Sequence, residues 1–302
     1  MIQHSATQDS LLPWLTLTRE SLMQRFLQHS LHHGLLVSGQ EGIGKRYLAD
    51  AMMKGILCLQ PSVQGACGMC QSCKLVNAGT HPDHHVLESE KQLGVDAIRT
   101  SISKLSSTPQ IGRHKVLLIP VAEKMTEAAS NALLKTLEEP TDNTYLFLLT
   151  SKINSLLPTI LSRCEKVHLP VPEIAQSLNW LTEQGDFEVS QALLQAYGNA
   201  PLRVLKALQD ENSVSFREFS DGLADMLAGK ADITAMAGKW QGSTELVIDW
   251  CQQYYHDQYR MQLRTSDFER YQQCLAFARR AQHPGINKTL LLSQLFSQLV
   301  QA

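Results

Sequence analysis

The chain has 302 residues, of which 43% are hydrophobic and 19% charged, a composition that suits two or three domains with proper cores and does not suit a disordered chain. Its formal net charge of −2 argues against a dedicated duplex-DNA binder, since neutralising phosphates needs a clustered cationic surface. The start, MIQHSATQDSLLPWLTLTRE, lacks a basic region followed by a long apolar core, and no later window is apolar enough to span a membrane, so a cytoplasmic protein with no membrane partner is expected.

Leu22 and Phe26 mark a first helix, with His29, His32 and His33 on it or in the turn that follows. Those histidines read better as a solvated helix end than as ligands. The apolar run Leu35-Leu36-Val37 then enters GQEGIGKR, Gly39 to Arg46, and Leu48, Ala51, Met52 and Ile56 follow on one helical face to about Leu59. Strand, glycine loop and helix in that order make a phosphate cradle: Gly39, Gly42 and Gly44 free the backbone to wrap a polyphosphate, and Lys45 reaches its outer phosphates. These four are the candidate nucleotide-binding residues. The position after the lysine should be a hydroxyl that ligates magnesium, and it is Arg46.

Four of the seven cysteines come next: Cys58, then Cys67, Cys70 and Cys73 at two-residue gaps. That spacing lets thiolates converge on one tetrahedral ion, with Cys58 as fourth ligand, and predicts a closed structural zinc site. A disulfide or redox pair is the weaker reading without a secretion signal. His81, Asp83, His84 and His85 form a second cluster, of which only His81 is near enough in sequence to rival a cysteine. GTHPD reads as a turn and Val86-Leu87 as part of a strand. Ile98, Ile102 and Leu105 then share a helical face, which leaves Arg99 and Lys104 solvated by default.

The apolar strand Val116 to Ile119 should end in an acidic pair that holds magnesium and activates water. It ends in Pro120-Val121. Glu123 follows, past a proline expected to bend the chain away. Thr126 is a plausible N-cap for EAASNALLKTLEEP, which Pro140 stops, and the strand Tyr145 to Leu149 ends in Thr150-Ser151, where such folds place a phosphate-sensing group. A short helix, Leu156 to Ser162, and a strand, Lys166 to Leu169, complete an alternation that predicts a largely parallel sheet covered on both faces. On residue chemistry alone Arg163 is a cation at a helix end or a member of a surface ion pair.

Pro170-Val171-Pro172 sets a domain boundary. Helices at Ile174 to Leu181, Ser190 to Tyr197 and Leu202 to Leu208 make a small bundle over 173–209, with Arg203 best read as exposed or salt-bridged. Longer amphipathic helices fill 213–302: Phe216 to Leu227, Glu245 to Leu263, Phe268 to Ala281 and Asn287 to Val300. Trp240, Trp250, Tyr254, Tyr255 and Tyr259 fall within these repeats and read as packing aromatics, not base-stacking ones.

HHGLL before GQEGIGK, the four cysteines, GTHPD, LGVDAIR, SNALLKTLEEP and LSRC occur in order across residues 13 to 170. In that combination the sequence resembles the clamp-loader subunits of bacterial DNA polymerase III, within the AAA+ class, and among them the delta-prime kind, whose nucleotide sites are usually incomplete. The resemblance implies an AAA+ core over 1–169 with an inserted zinc module at about 58–79, a helical lid and an all-α collar. It implies a role for Arg163 of the Ser-Arg-Cys motif, supported by Ser162 and Cys164, at a neighbour's ATP in trans, with no catalytic residue acting in cis. Partners implied are the tau/gamma motor subunits, the delta subunit, and through the complex the sliding clamp and primed DNA. No turnover of ATP with Mg2+ by this chain is expected, although Gly44-Lys45 leave weak nucleotide or sulfate binding open. Two rivals are an ATP-hydrolysing motor of the same fold and a zinc-ribbon that reads nucleic acid.

Overall fold

A computed structural model describes residues 12–301 except 90, 211–213, 282 and 284. The first 11 positions and Ser213, where the expected collar domain opens, therefore lie outside the described residues. The described residues fall into two compact units that divide between Gln176 and Ser177. The division falls in the first turn of a helix, and the chain leaving the last strand is tied to the sheet by Leu169 N–H donating to Ser38 O at 2.8 Å.

In chain order the first unit contains α1 (Thr16–Leu27), β1 (Gly34–Ser38), α2 (Lys45–Leu57), α3 (Gln71–Asn77), β2 (His84–Val86), α4 (Val95–Leu105), β3 (Lys115–Ile119), α5 (Glu127–Glu138), β4 (Thr144–Thr150), α6 (Pro158–Leu161) and β5 (Glu165–His168). The five strands form one sheet in the order β2-β3-β4-β1-β5, every pair parallel. The expectation of a parallel α/β sheet holds, and its cause is visible along the strands. All residues of β1 and β3 are buried, which is how a strand covered on both faces reads. Leu36, Leu117, Ile119, Leu146 and Leu148 share one core with Ile98, Leu105, Leu133, Leu137 and Ile160. Successive strand residues alternate in direction, so Leu35, Val37, Val116, Leu118 and Phe147, all buried, line the other face. α5 starts where its cap predicts, with Thr126 Oγ1 accepting from Ala129 N–H at 3.2 Å.

Two elements went unread in the sequence. The helix α3 opens on a cysteine, whose sulfur does the capping in place of a hydroxyl or carboxylate. The other, α11, lies in the second unit.

The helix α7 (Ile174–Glu183) crosses the division. Beyond it lie α8 (Gln191–Ala196), α9 (Pro201–Gln209), α10 (Phe216–Leu227), α11 (Ile233–Trp240), α12 (Thr244–Gln262), α13 (Thr265–Ala281) and α14 (Lys288–Gln301). Within this unit Tyr197 meets Trp250 edge-on at 5.5 Å, and Gln253 donates to Gln195 O at 2.8 Å, so the chain around α8 docks on α12. Trp240, Trp250 and Tyr255 are fully buried and Tyr259 packs on Phe268, in keeping with their reading as packing residues.

Candidate functional site

Three constellations carry chemistry, all in the first unit. The first is the phosphate loop. In a parallel sheet the crevice lies beyond the carboxyl ends of the strands, and the pairing of Ser38 with Thr150 sets the loop after β1 beside Ser151 after β4. Gly39, Gly42 and Gly44 have φ of 153°, 82° and 101°. A Cβ at Gly39 would stand 2.6 Å from Leu169 O, and one at Gly44 2.4 Å from Leu12 Cδ1, so both positions need glycine. Lys45 is occupied: Nζ donates to Gly39 O at 2.7 Å, Gln40 O at 2.8 Å and Ser151 Oγ at 2.8 Å. An ammonium has three donors, and all three are engaged within the loop and its neighbour. Burial lowers the Lys45 pKa, opposed by Glu123 and Glu41.

Arg46, in the place of the magnesium-binding hydroxyl, is committed to carboxylates. Its Nε donates to both Asp50 oxygens at 2.9 Å and Nη1 pairs with Glu88. Glu123 corrects the expectation that Pro120 carries the chain away. A tight turn at Ala122–Lys124 folds it back, and its Oε1 accepts from Ser151 N–H at 3.1 Å. The Glu123 carboxylate thus reaches the crevice, with Oε1 on a backbone amide and Oε2 buried without a hydrogen-bond partner among the described residues, while Pro120 and Val121 supply no carboxylate at the end of β3.

The second constellation is the cysteine cluster. α2 ends at Leu57 and Cys58 follows in extended conformation. Cys70 caps α3, and Cys73 lies one turn along it. The four sulfurs lie within 4.8 Å of one another, with Cys58–Cys70 at 3.9 Å, Cys67–Cys73 at 4.0 Å and Cys70–Cys73 at 3.4 Å. Four thiolates around one tetrahedral ion at ~2.3 Å stand about 3.8 Å apart, so the donor set fits. Backbone N–H groups of Gln60 and Cys67 donate to Cys58 Sγ, at 3.3 and 3.2 Å, as thiolates require. Burial raises the Cys70 thiol, but N–H groups of Cys73 and Leu59 and the neighbouring thiols outweigh it and bring Cys70 to about 6. Cys73 is pushed up to about 12 by burial and by its bonds to Cys70 and Cys58. Thiols this close do not all ionise without a cation among them.

His81 is no rival ligand. Asp83 N–H donates to its Nδ1 at 3.1 Å, so its Nε2 carries the proton and donates to Ser72 Oγ at 2.9 Å. Ser72, fully buried, donates in turn to Leu57 O at 2.6 Å. The chain from GTHPD to the end of α2 thus braces the cysteines from behind. Asp83 is buried too and accepts from Gln110 and Ile111 N–H. Among the described residues the cysteines are the cluster able to hold a metal.

The third constellation surrounds Arg163. β5 pairs with β1 so that Glu165 faces Leu35, which sets Arg163 at the amino end of β1, while the phosphate loop leaves its carboxyl end. At ~3.3 Å per residue the two are about 20 Å apart along the sheet. Arg163 Nε donates to Glu138 at 2.7 Å, and Nη1 to Thr159 O at 3.1 Å. Cys164 is buried, and burial pushes its thiol up to about 11. Arg203, in the second unit, donates to Asp249 at 3.3 Å, the salt bridge expected of it. The partnership of Arg163 with Glu138 and the return of Glu123 are the site features the sequence did not reveal. Both join residues brought together only by the sheet.

All three constellations lie within the stretch that known proteins share. A family model described as "DNA polymerase III, delta subunit" matches residues 16–173. A DNA polymerase III subunit delta' from Pseudomonas aeruginosa is 38% identical over 230 residues, 74% of this chain and 70% of that protein. One from Yersinia pestis is 33% identical over 298 residues, 95% of this chain and 87% of that protein. Among solved structures, a DNA polymerase III gamma subunit-related protein from Thermotoga maritima has a TM-score of 0.57 at 16% identity, over 95% of this chain and 98% of that one, which is a likeness of fold. A match over more than half of the chain, together with relatives above 30% identity along most of their own length, means that this chain belongs to the family of DNA polymerase III delta-prime subunits.

Proposed function

We propose that the chain is a clamp-loader subunit that hydrolyses no ATP itself and lends Arg163 to the ATP site of a neighbouring motor subunit. The observation that carries this reading is the placing of Arg163 at the opposite end of β1 from its own phosphate loop. An arginine about 20 Å from the phosphate-cradle loop of its own chain serves that loop poorly, and a second subunit's phosphate suits it better. The loop itself has Arg46 tied to Asp50 and Glu88, Lys45 fully engaged, and no acidic pair, so it lacks the means to hold magnesium and aim a water.

On this reading the core spans 1–169 as an AAA+ module, 173–209 is the lid, and 213–302 is the collar that holds the chain beside the tau/gamma motor and delta subunits. Closure driven by the neighbours' ATP lets the delta subunit open the sliding clamp, which is then placed on primed DNA in the cytoplasm. Zinc at Cys58, Cys67, Cys70 and Cys73 is structural, since four thiolates leave no open position. Weak anion binding by the loop would have to displace the three acceptors of Lys45.

A guanidinium at developing phosphate charge accelerates phosphoryl transfer by ~10³ to 10⁵-fold in other systems. In a complex rebuilt with motor and delta subunits, Arg163→Ala is therefore expected to lower DNA-stimulated ATP hydrolysis at least about tenfold at that site, with zinc content and assembly unchanged. Wild-type turnover in that complex would remove the in-trans role.

A further inference from the structure

The carboxyl end of a helix is an unfavourable place for a carboxylate, because the last carbonyls carry partial negative charge. α5 nevertheless ends on Glu138, and Glu139 follows it. The side chain of Glu138 is spent on one partner: Oε1 accepts from Arg163 Nε at 2.7 Å and pairs with Nη2 as well. The other edge of the guanidinium is held by its own segment, Nη1 donating to Thr159 O at 3.1 Å with Ser162 Oγ at 3.4 Å. Of five guanidinium donors four are taken, from two sides: Nε and one N–H of Nη2 by Glu138, and both N–H of Nη1 by Thr159 and Ser162. One N–H on Nη2 remains, a charge-assisted donor that suits a phosphate oxygen.

The turn that carries the carboxylate is fixed from behind. His33 Nε2 donates to Leu137 O at 2.8 Å, one residue before Glu138. At Gly34 an added Cβ would stand 3.0 Å from Leu137 Cδ2 and 3.6 Å from Arg163 O. The amino end of β1 and the last turn of α5 therefore pack tightly enough that a methyl group would make Leu137 give way slightly, and the segment bearing Arg163 lies within ordinary contact of the same point. HHGLL, LLKTLEEP and LSRC, far apart in sequence, meet at this one place.

We infer that Glu138 is a positioning residue for Arg163, gripping the Nε edge so that the remaining Nη2 hydrogen meets the outer phosphate of a neighbour's nucleotide already oriented. The inference rests on the in-trans reading of Arg163. A merely structural ion pair is the alternative, and with side chains 32% and 49% exposed such a pair contributes little to folding. Removing it should leave the fold alone and cost orientation.

The test uses the rebuilt complex and DNA-stimulated ATP hydrolysis. Glu138→Ala is expected to lower kcat about three- to tenfold through lost alignment, with KM for ATP, zinc content and thermal midpoint at wild-type values, since the contact acts on the transition state. Glu138→Gln, whose side-chain carbonyl still accepts from Nε, should recover at least half of that loss. The double variant Glu138→Ala/Arg163→Ala should turn over no more slowly than Arg163→Ala, because nothing is left to position. Wild-type kcat in Glu138→Ala beside a slow Arg163→Ala, or losses that add in the double variant, would overturn this inference and leave the in-trans reading standing. Wild-type turnover in Arg163→Ala would overturn both.

Discussion

His84 stands on β2 beside α2, lining a cavity of about 520 Å³ with Arg46, Asp50 and Lys54. Burial, then the charges of His81, Arg46, His85 and Lys54, holds its pKa down at about 4. A histidine whose folded pKa is depressed is protonated first in the unfolded chain, so its contribution is complete above the ordinary value of 6.5 and is lost as pH falls from there towards about 4. Replacing His84 with Gln should flatten the fall of the urea midpoint over that window, without altering stability much at pH 8. A midpoint that declines as steeply in the variant would mean that other groups control the acid limb. The same residue scale shows what sequence reading can and cannot reach. Gly39, Gly44 and Lys45 were legible because the loop is local and its φ angles demand glycine. Glu138 was not, since it meets Arg163 across 25 positions through a fold that periodicity does not specify.

At the scale of elements, the segment from the end of α2 to α3 has little apolar packing of its own: Met69 and Leu59 are exposed, and Cys73 and Val76 are its buried apolar side chains within α3. Its order must come from the cysteines and from Ser72 and His81 behind them. Structural zinc in small modules binds with apparent free energies of ~10–16 kcal/mol at neutral pH, so one zinc per chain is expected. Chelation should fray α3, seen as a loss of helical circular dichroism and a thermal midpoint lower by several degrees, with Cys73→Ser doing the same. An apoprotein of unchanged midpoint would refute a structural role. Sequence located this module by its thiol spacing yet missed α3 inside it, because a sulfur cap carries none of the usual helix-start signals. It missed α11 for another reason: its cap, Asp232, is ordinary and Ile233, Met236 and Trp240 stand at helical spacing, but eight residues give barely two turns of stripe, too short a run to read as a periodic pattern.

At the scale of the whole molecule, strand order decides which ends meet. β3, β4 and β1 are neighbours, so their carboxyl ends gather Glu123, Ser151 and the phosphate loop into one crevice, and the parallel register sends Arg163 to the far side. The alternation of strand and helix announced this sheet well. The order of its strands is set by crossovers and stayed silent in the sequence. With Lys45 held by three acceptors and Pro120-Val121 standing at the end of β3 in place of an acidic pair, purified chain is expected to release phosphate from ATP at background rate with or without magnesium, and Lys45→Ala should leave that rate unchanged. Steady, Lys45-dependent release would restore the motor reading.

Under the proposed role, an arginine lent from one end of β1 and a phosphate loop at the other, its lysine already engaged, give the subunit a direction. Copies joined head to tail would each offer a guanidinium to a pocket that answers nothing, so a run of them would burn no fuel. Under the proposed role such a part works only at a terminus of the arc, facing a competent neighbour on one side, and one copy per assembly suffices.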